Sequence, residues 1–243
     1  MAGAKKRAKK PVGRDRVLFN ILSYAVLTAL SAACLLPFLL VLSGSVSEQY
    51  SIQLHGYRLF PETISLDAYK MLFRIPQELL RAYGVTIFVT AVGTVLGLWL
   101  TSMAAYVLSS RDFRYRYQVS FFFYFTSIFG GGLVPWYIFN TKYLHFHNSV
   151  IALNYWNDWY NAMLFLDEGS RNLYPLQYFL NNILTKAQAM NAAAARSGIP
   201  ASDVPSEPMK LAMTVVATGP IILLYPFLQK YFVKGVTIGA VKG

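Results

Sequence analysis

The chain has 243 residues, 55% of them hydrophobic and only 14% charged, whereas about a quarter of the residues of a soluble domain are charged. That balance excludes an ordinary soluble domain, and the single Cys34 excludes an intrachain disulfide and a cysteine-based zinc site. The net charge of +11 would suit a nucleic-acid partner, but its distribution along the chain argues for a membrane instead.

Residues 1–16 form a basic tail with Lys5, Lys6, Arg7, Lys9, Lys10, Arg14 and Arg16. The apolar run at 17–46 follows. It is too long for a secretory h-region and is read as a retained first span, with Pro37 expected to kink it. An outer segment at 47–81 contains "YRLFPETISLDAYKMLFR", where Pro61 and the stretch from Ser65 to Asp67 predict a turn into a short amphipathic helix on the membrane surface or against neighbours.

The second span, 82–108, places Gly93 and Gly97 four residues apart among threonines, serine and alanines. Small residues at that spacing let helices approach closely, so this face is expected to pack against another helix. The turn "SSRDFRYRYQ" leads into the third span, 119–139, which is interrupted by Gly130, Gly131, Gly132 and Pro135. Each glycine costs a helix about 1 kcal/mol relative to alanine, and irregular backbone at membrane depth survives only where protein or a water-filled cavity covers it. A flexible, transporter-like break is expected there.

A second outer segment, 140–210, carries an alanine-rich helix former at 189–198 and the Pro/Ser loop "SGIPASDVPSEP". The last span, 211–232, contains Pro220 and Pro226, and the lysines and glycines after it predict a helix end at the cytoplasmic surface. Each span exceeds the roughly 20 residues needed to cross a hydrocarbon core. The fold class is therefore an all-α polytopic membrane protein with four transmembrane helices, and residues 17–243 form one transmembrane domain. With both termini in the cytoplasm, thirteen basic and two acidic residues fall inside while the outer segments hold nine of each. The positive-inside asymmetry thus accounts for the whole net charge without nucleic acid.

No catalytic constellation is present: the chain has no G-x-x-x-x-G-K-[ST] phosphate loop, no G-x-S-x-G and no H-E-x-x-H. His145 and His147 lack a third ligand in sequence and read as interfacial histidines rather than a metal site. The chain is not expected to be an enzyme or to bind a cofactor.

Several blocks in order, "LPFLLVLSGSVS", "LDAYKMLF", "GTVLGLWLTSMAAYVLSSRDFRYR", "FGGGLVPWYI", "NSVIALN", "WNDWYNAMLFL", "YPLQYFLNNIL", "VPSEPMKLAMTVVATGP" and "QKYFVKGVTIGAVKG", cover most of residues 16–243. In these the chain resembles the membrane-spanning permease subunits of binding-protein-dependent ABC importers of carbohydrates, nearest to the branch that handles complex sugars in Gram-positive bacteria. The resemblance implies sugar import across the plasma membrane, a second permease subunit, a dimer of ATPase subunits that bind the ATP, and an extracellular sugar-binding lipoprotein.

It also implies six spans, and a cytoplasmic E-A-A-x3-D-G-A helix between the fourth and fifth that docks on the ATPase. This chain has neither that pattern nor those two spans. "NSVIALN" resembles the start of the family's fourth span and "WNDWYNAMLFL" the end of its fifth, so residues 148–165 read as a seam from which a hairpin of about 60 residues is missing. Removing a hairpin whose two ends both lie outside leaves the remaining topology unchanged. Two functional readings follow: a carbohydrate permease subunit, or a transport-inactive assembly partner without the lever that couples it to the ATPase. At the seam, Trp156, Asn157, Asp158, Trp159 and Tyr160 combine aromatic faces with amides and a carboxylate, a mixture suited to sugar rings or to the binding protein. The alternative for these residues is an aromatic belt at the membrane interface.

Overall fold

Two long apolar stretches at the ends of the chain build one side of the molecule. In the computed structural model, which describes residues 14–197 and 205–240, α1 spans Arg14–Ser45 and the last helix, α9, spans Ser206–Ala240. The basic tail up to Pro11, most of the Pro/Ser loop and Lys242 lie outside the described residues. The helix α1 runs through Pro37 without a break in its assignment and packs along α9. Gly44 explains how closely they meet: a Cβ there would fall 2.3 Å from Cδ1 of Leu211 on α9. The end of α1 is closed by hydroxyls, with Ser43 Oγ donating to the Arg58 carbonyl at 2.6 Å and Ser47 Oγ to the Ser43 carbonyl at 2.8 Å.

After α1 come two short helices, α2 (Gln49–His55) and α3 (Asp67–Leu72). The expected turn before α3 is present, with Ser65 Oγ donating to Asp67 Oδ2 at 2.7 Å. The helix does not lie free on a surface: Ala68 and Leu72 are buried, and α3 packs on α9. Next, α4 spans Pro76–Ser109, opening with proline at its first turn, where no helical donor is lost.

The third apolar stretch is broken where its glycines predict. Helix α5 (Arg116–Ile128) stops before the glycines, Gly132 takes a φ of +84° that only glycine adopts freely, and α6 (Leu133–Ile138) continues through a π-helical turn at Phe139–Tyr143. The chain bends by 114° between the two halves, so the stretch is a bent pair rather than one straight span. Among the described residues the chain therefore has three helices long and apolar enough to cross a membrane, and a fourth such element only if the bent pair counts as one.

The chain then forms α7 (Tyr160–Phe165), a 3-10 stretch at Glu168–Leu173 and α8 (Leu176–Arg196), which takes in most of the alanine-rich run. Helix α9 outlasts the apolar stretch that ends at residue 232 and continues to Ala240 through Lys234 and the glycines. A single glycine costs a helix only about 1 kcal/mol and does not by itself terminate it.

The buried core gathers α3, the first half of α4, α8 and the first half of α9, around Leu72, Leu79, Leu176, Phe179, Met209 and Met213. In contrast α1, α5, α6 and residues 221–232 of α9 expose apolar side chains, which in water would be untenable and is the mark of helices facing lipid or partner helices.

Two threonines one turn apart on α4 give a paired test. The buried Thr86 Oγ1 accepts from Leu176 N–H at 2.8 Å, satisfying one of the free donors that start α8. Thr90 Oγ1 is buried without a partner among the described residues. Thr86→Val is expected to destabilise the fold by about 1–3 kcal/mol by orphaning that N–H, whereas Thr90→Val should leave stability unchanged or raise it by about 1 kcal/mol. Thermal unfolding of both variants in detergent micelles reads the difference.

Candidate functional site

The seam folds as a loop closed at its neck. Asn148 adopts a φ of +54°, which asparagine tolerates, and turns its side chain toward Asp167. Its Nδ2 donates to Asp167 Oδ2 at 2.8 Å, its Oδ1 accepts from Asp167 N–H at 3.1 Å, and its own N–H donates to the Phe165 carbonyl at 2.8 Å. His147 Nε2 approaches the same carboxylate at 3.7 Å.

The Asn148 amide, followed by Ser170, holds the Asp167 carboxyl below the usual carboxylate range. A carboxylate with a depressed folded pKa contributes stability above its unfolded value and loses it as pH falls through the folded one. Acidification below about pH 4 is therefore expected to open the neck, seen as faster amide exchange across 148–167. In Asp167→Asn that pH dependence should disappear.

Within the loop four of the five sequence-predicted residues divide into two roles. Trp156 is half-buried; its Nε1 donates to the Ala217 carbonyl at 3.2 Å and its ring lies 6.5 Å from Tyr83. Tyr83 in turn donates its hydroxyl to the Val216 carbonyl at 2.5 Å. The need for these donors is set by Pro220, which has no N–H to offer the carbonyl four residues before it, so side chains from α4 and the seam serve the loosened turn of α9. Asp158 is buried, accepting from Asn154 N–H at 2.5 Å and Asn161 N–H at 3.0 Å. Both residues hold the loop together.

Asn157 and Trp159 instead line a cavity of about 380 Å³ between the seam, α8 and α9. Sequence reasoning missed the rest of that wall: Gln177 and Asn181 from α8, and Lys210, Thr214 and Thr218 from α9. The signal was available, because 177/181 and 210/214/218 recur every four residues and so share one helix face. Lys210 is paired with Glu207 at 2.9 Å, which leaves the cavity an indole, three amides and two hydroxyls without net charge. Such a set stacks on the CH face of a sugar ring and hydrogen-bonds its edge hydroxyls. Tyr160 is exposed, edge-on to Trp159 at 5.7 Å.

On the small-residue face of α4, the nearest side chain to both glycines among the described residues is Tyr155. A Cβ on Gly93 would lie 3.3 Å from the Tyr155 ring, and one on Gly97 3.3 Å from the Tyr155 hydroxyl. A seam residue thus lies flat on the face that the spacing assigns to helix packing. Gly131, Gly132 and Pro135 border an open apolar recess of about 560 Å³ with Trp136 and Tyr143, remote in chemistry from the Trp159 cavity, while a Cβ at Gly130 would meet nothing.

Comparison with known proteins places this geometry. No family model matches the chain. Protein LplC of Bacillus subtilis (strain 168) is 28% identical over 288 aligned positions that take in 93% of this chain and 95% of that protein. The polygalacturonan/rhamnogalacturonan transport system permease protein YtcP of the same organism is 28% identical over 286 positions, covering 93% of this chain and 99% of that one. Since 93% of 243 residues is about 226, roughly 60 of the 288 aligned positions have no residue in this chain, the size of the hairpin whose absence the seam suggests. A bacterial ABC transporter involved in the import of the acidic polysaccharide alginate shares the fold with a TM-score of 0.69 at 20% identity, over 92% of this chain and 100% of that one. Along nearly its whole length, the chain is a homologue of the permease subunits of sugar ABC importers.

Proposed function

We propose that the chain is the membrane-spanning permease subunit of a carbohydrate uptake system in the plasma membrane, pairing with a second permease and receiving sugar from an extracellular binding protein. The observation that carries this reading is the match to curated relatives over 93% of this chain and 95% and 99% of theirs. ATP is bound and hydrolysed by separate subunits, consistent with the absence of a phosphate loop here. One relative's stated substrate is polygalacturonan or rhamnogalacturonan, which supports an oligosaccharide of plant-polymer type as the cargo. The cavity of Asn157, Trp159, Gln177 and Asn181 is its contact on this subunit.

A second reading rests on the roughly 60 absent positions and the missing E-A-A-x3-D-G-A pattern: an assembly partner that binds the other permease but moves no sugar. The experiment is co-expression with a cognate permease, ATPase and binding protein, followed by purification and uptake of labelled oligosaccharide. The permease reading expects recovery of the second permease together with uptake, and Trp159→Ala should reduce uptake about tenfold without changing the melting temperature. Recovery of the second permease without uptake selects the assembly-partner reading, and failure to recover it overturns both.

A further inference from the structure

A second concave site lies on the other side of α8, where the first turns of α4 meet the 3-10 stretch at Glu168–Leu173. Its volume is about 440 Å³, within the range of small-molecule pockets. The floor is apolar, with Phe179, Ala82 and Ile183; the rim carries Arg81, Arg171 and Lys186 against the single carboxylate of Glu78. Among the described residues none of these four takes part in an ion pair. Arg81 is oriented instead by donating from Nη1 to Asn172 Oδ1, which also lines the cleft.

This clustering is not a by-product of the topology. The outer segments hold equal numbers of basic and acidic residues, yet three of their nine cations converge on one cleft with one acid. Concave walls of low dielectric focus such a field, and two guanidinium groups offer the planar double donors that fit carboxylates. Asn172 and Asn182 add amides for neighbouring hydroxyls. The Trp159 cavity is different: its one cation is already neutralised by Glu207.

We propose that this cationic cleft binds the carboxylate of an acidic saccharide of the uronic acid class, giving the subunit a preference for charged over neutral sugar chains. The proposal rests on the carbohydrate-permease reading and assigns a substrate feature to a site distinct from the Trp159 cavity. An acidic surface of a protein partner is the competing occupant. The concave shape and the amide rim favour a small carboxylated ring over a flat protein patch.

The test measures binding of a uronic acid trisaccharide and of its carboxyl-reduced neutral counterpart to the full chain in lipid nanodiscs. The acidic sugar is expected to bind about tenfold more tightly at low salt, with the preference shrinking at high ionic strength. Arg171→Gln with Lys186→Gln, both at exposed positions, should bring the preference below about twofold and leave the neutral sugar unchanged, while Lys186→Arg retains it. Equal binding of the two sugars by the unaltered chain, or a preference that survives the double variant, overturns the proposal while leaving the carbohydrate reading intact. Loss of neutral-sugar binding in the double variant also overturns it, as does loss of an acidic protein partner with the sugar preference kept. Failure of both sugars to bind overturns the proposal and the Trp159 contact together.

Discussion

Inserting the hairpin of a six-span relative, about 60 residues carrying the E-A-A-x3-D-G-A helix, between Asn154 and Tyr155 is expected, on the assembly-partner reading, to raise the ATPase recovered with the purified chain about tenfold or more. The position follows from the seam. Residues up to Asn154, where Ser149 caps the 3-10 turn at Val150–Ala152, resemble the start of the family's fourth span, and the residues after Tyr155 resemble the end of its fifth. Tyr155 lies over Gly93 and Gly97, a face that small residues suit for a helix, and a returning helix would displace its ring from there. The neck between Asn148 and Asp167 lies outside the insertion and should hold. If the inserted chain keeps its thermal transition and still recovers no more ATPase than the unaltered one, the missing-lever account fails.

The largest stability effect is expected from Phe165→Ala, at about 3–5 kcal/mol. Phe165 has no solvent exposure and its ring stacks on Tyr137 at 5.6 Å and 26°. Tyr137 sits on α6, the second half of the bent pair, while the Phe165 carbonyl receives Asn148 N–H, so Phe165 joins that half to the seam. Phe165→Leu, which leaves a smaller cavity, should cost less than half as much. Urea or thermal unfolding in detergent measures both, and equal, small effects would mean that α6 is held by something other than this ring.

How much of this was legible in the sequence differs by region for physical reasons. The long spans were readable because crossing a bilayer demands length and apolarity, which sequence displays directly; α1, α4 and α9 fall where the apolar runs predict. The break at Gly130–Gly132 was readable as a break, since three adjacent glycines oppose a helix, but its 114° angle was not, because glycine permits many directions and packing of Tyr137 on Phe165 selects one. The role of Pro220 was readable only as a disturbance. That Tyr83 and Trp156 serve the carbonyls around it depends on residues about 60 to 130 positions away in the chain. The same holds for the neck of the seam, which pairs Asn148 with Asp167 through a positive-φ asparagine that pattern reading does not anticipate.

The functional side chains follow the same division. The aromatic and amide cluster at 156–160 was conspicuous, yet only Asn157 and Trp159 of that group line the cavity, because Trp156 and Asp158 are occupied in holding the loop. The polar faces of α8 and α9 that complete the wall were present as four-residue repeats, concealed by the alanines and apolar residues around them.

The central claim is that both sides of the seam lie on the outer face and that loss of the hairpin preserved the topology of four spans. Because Cys34 is the only cysteine, a Cys34→Ala background with single cysteines placed at Asp112, Asn157 or Ala189 reports sidedness through a membrane-impermeant maleimide applied to intact cells. The account predicts labelling at 157 and 189 in intact cells and at 112 only after the membrane is opened. Labelling at 112 from outside, or protection of 157 until the cells are opened, would contradict it.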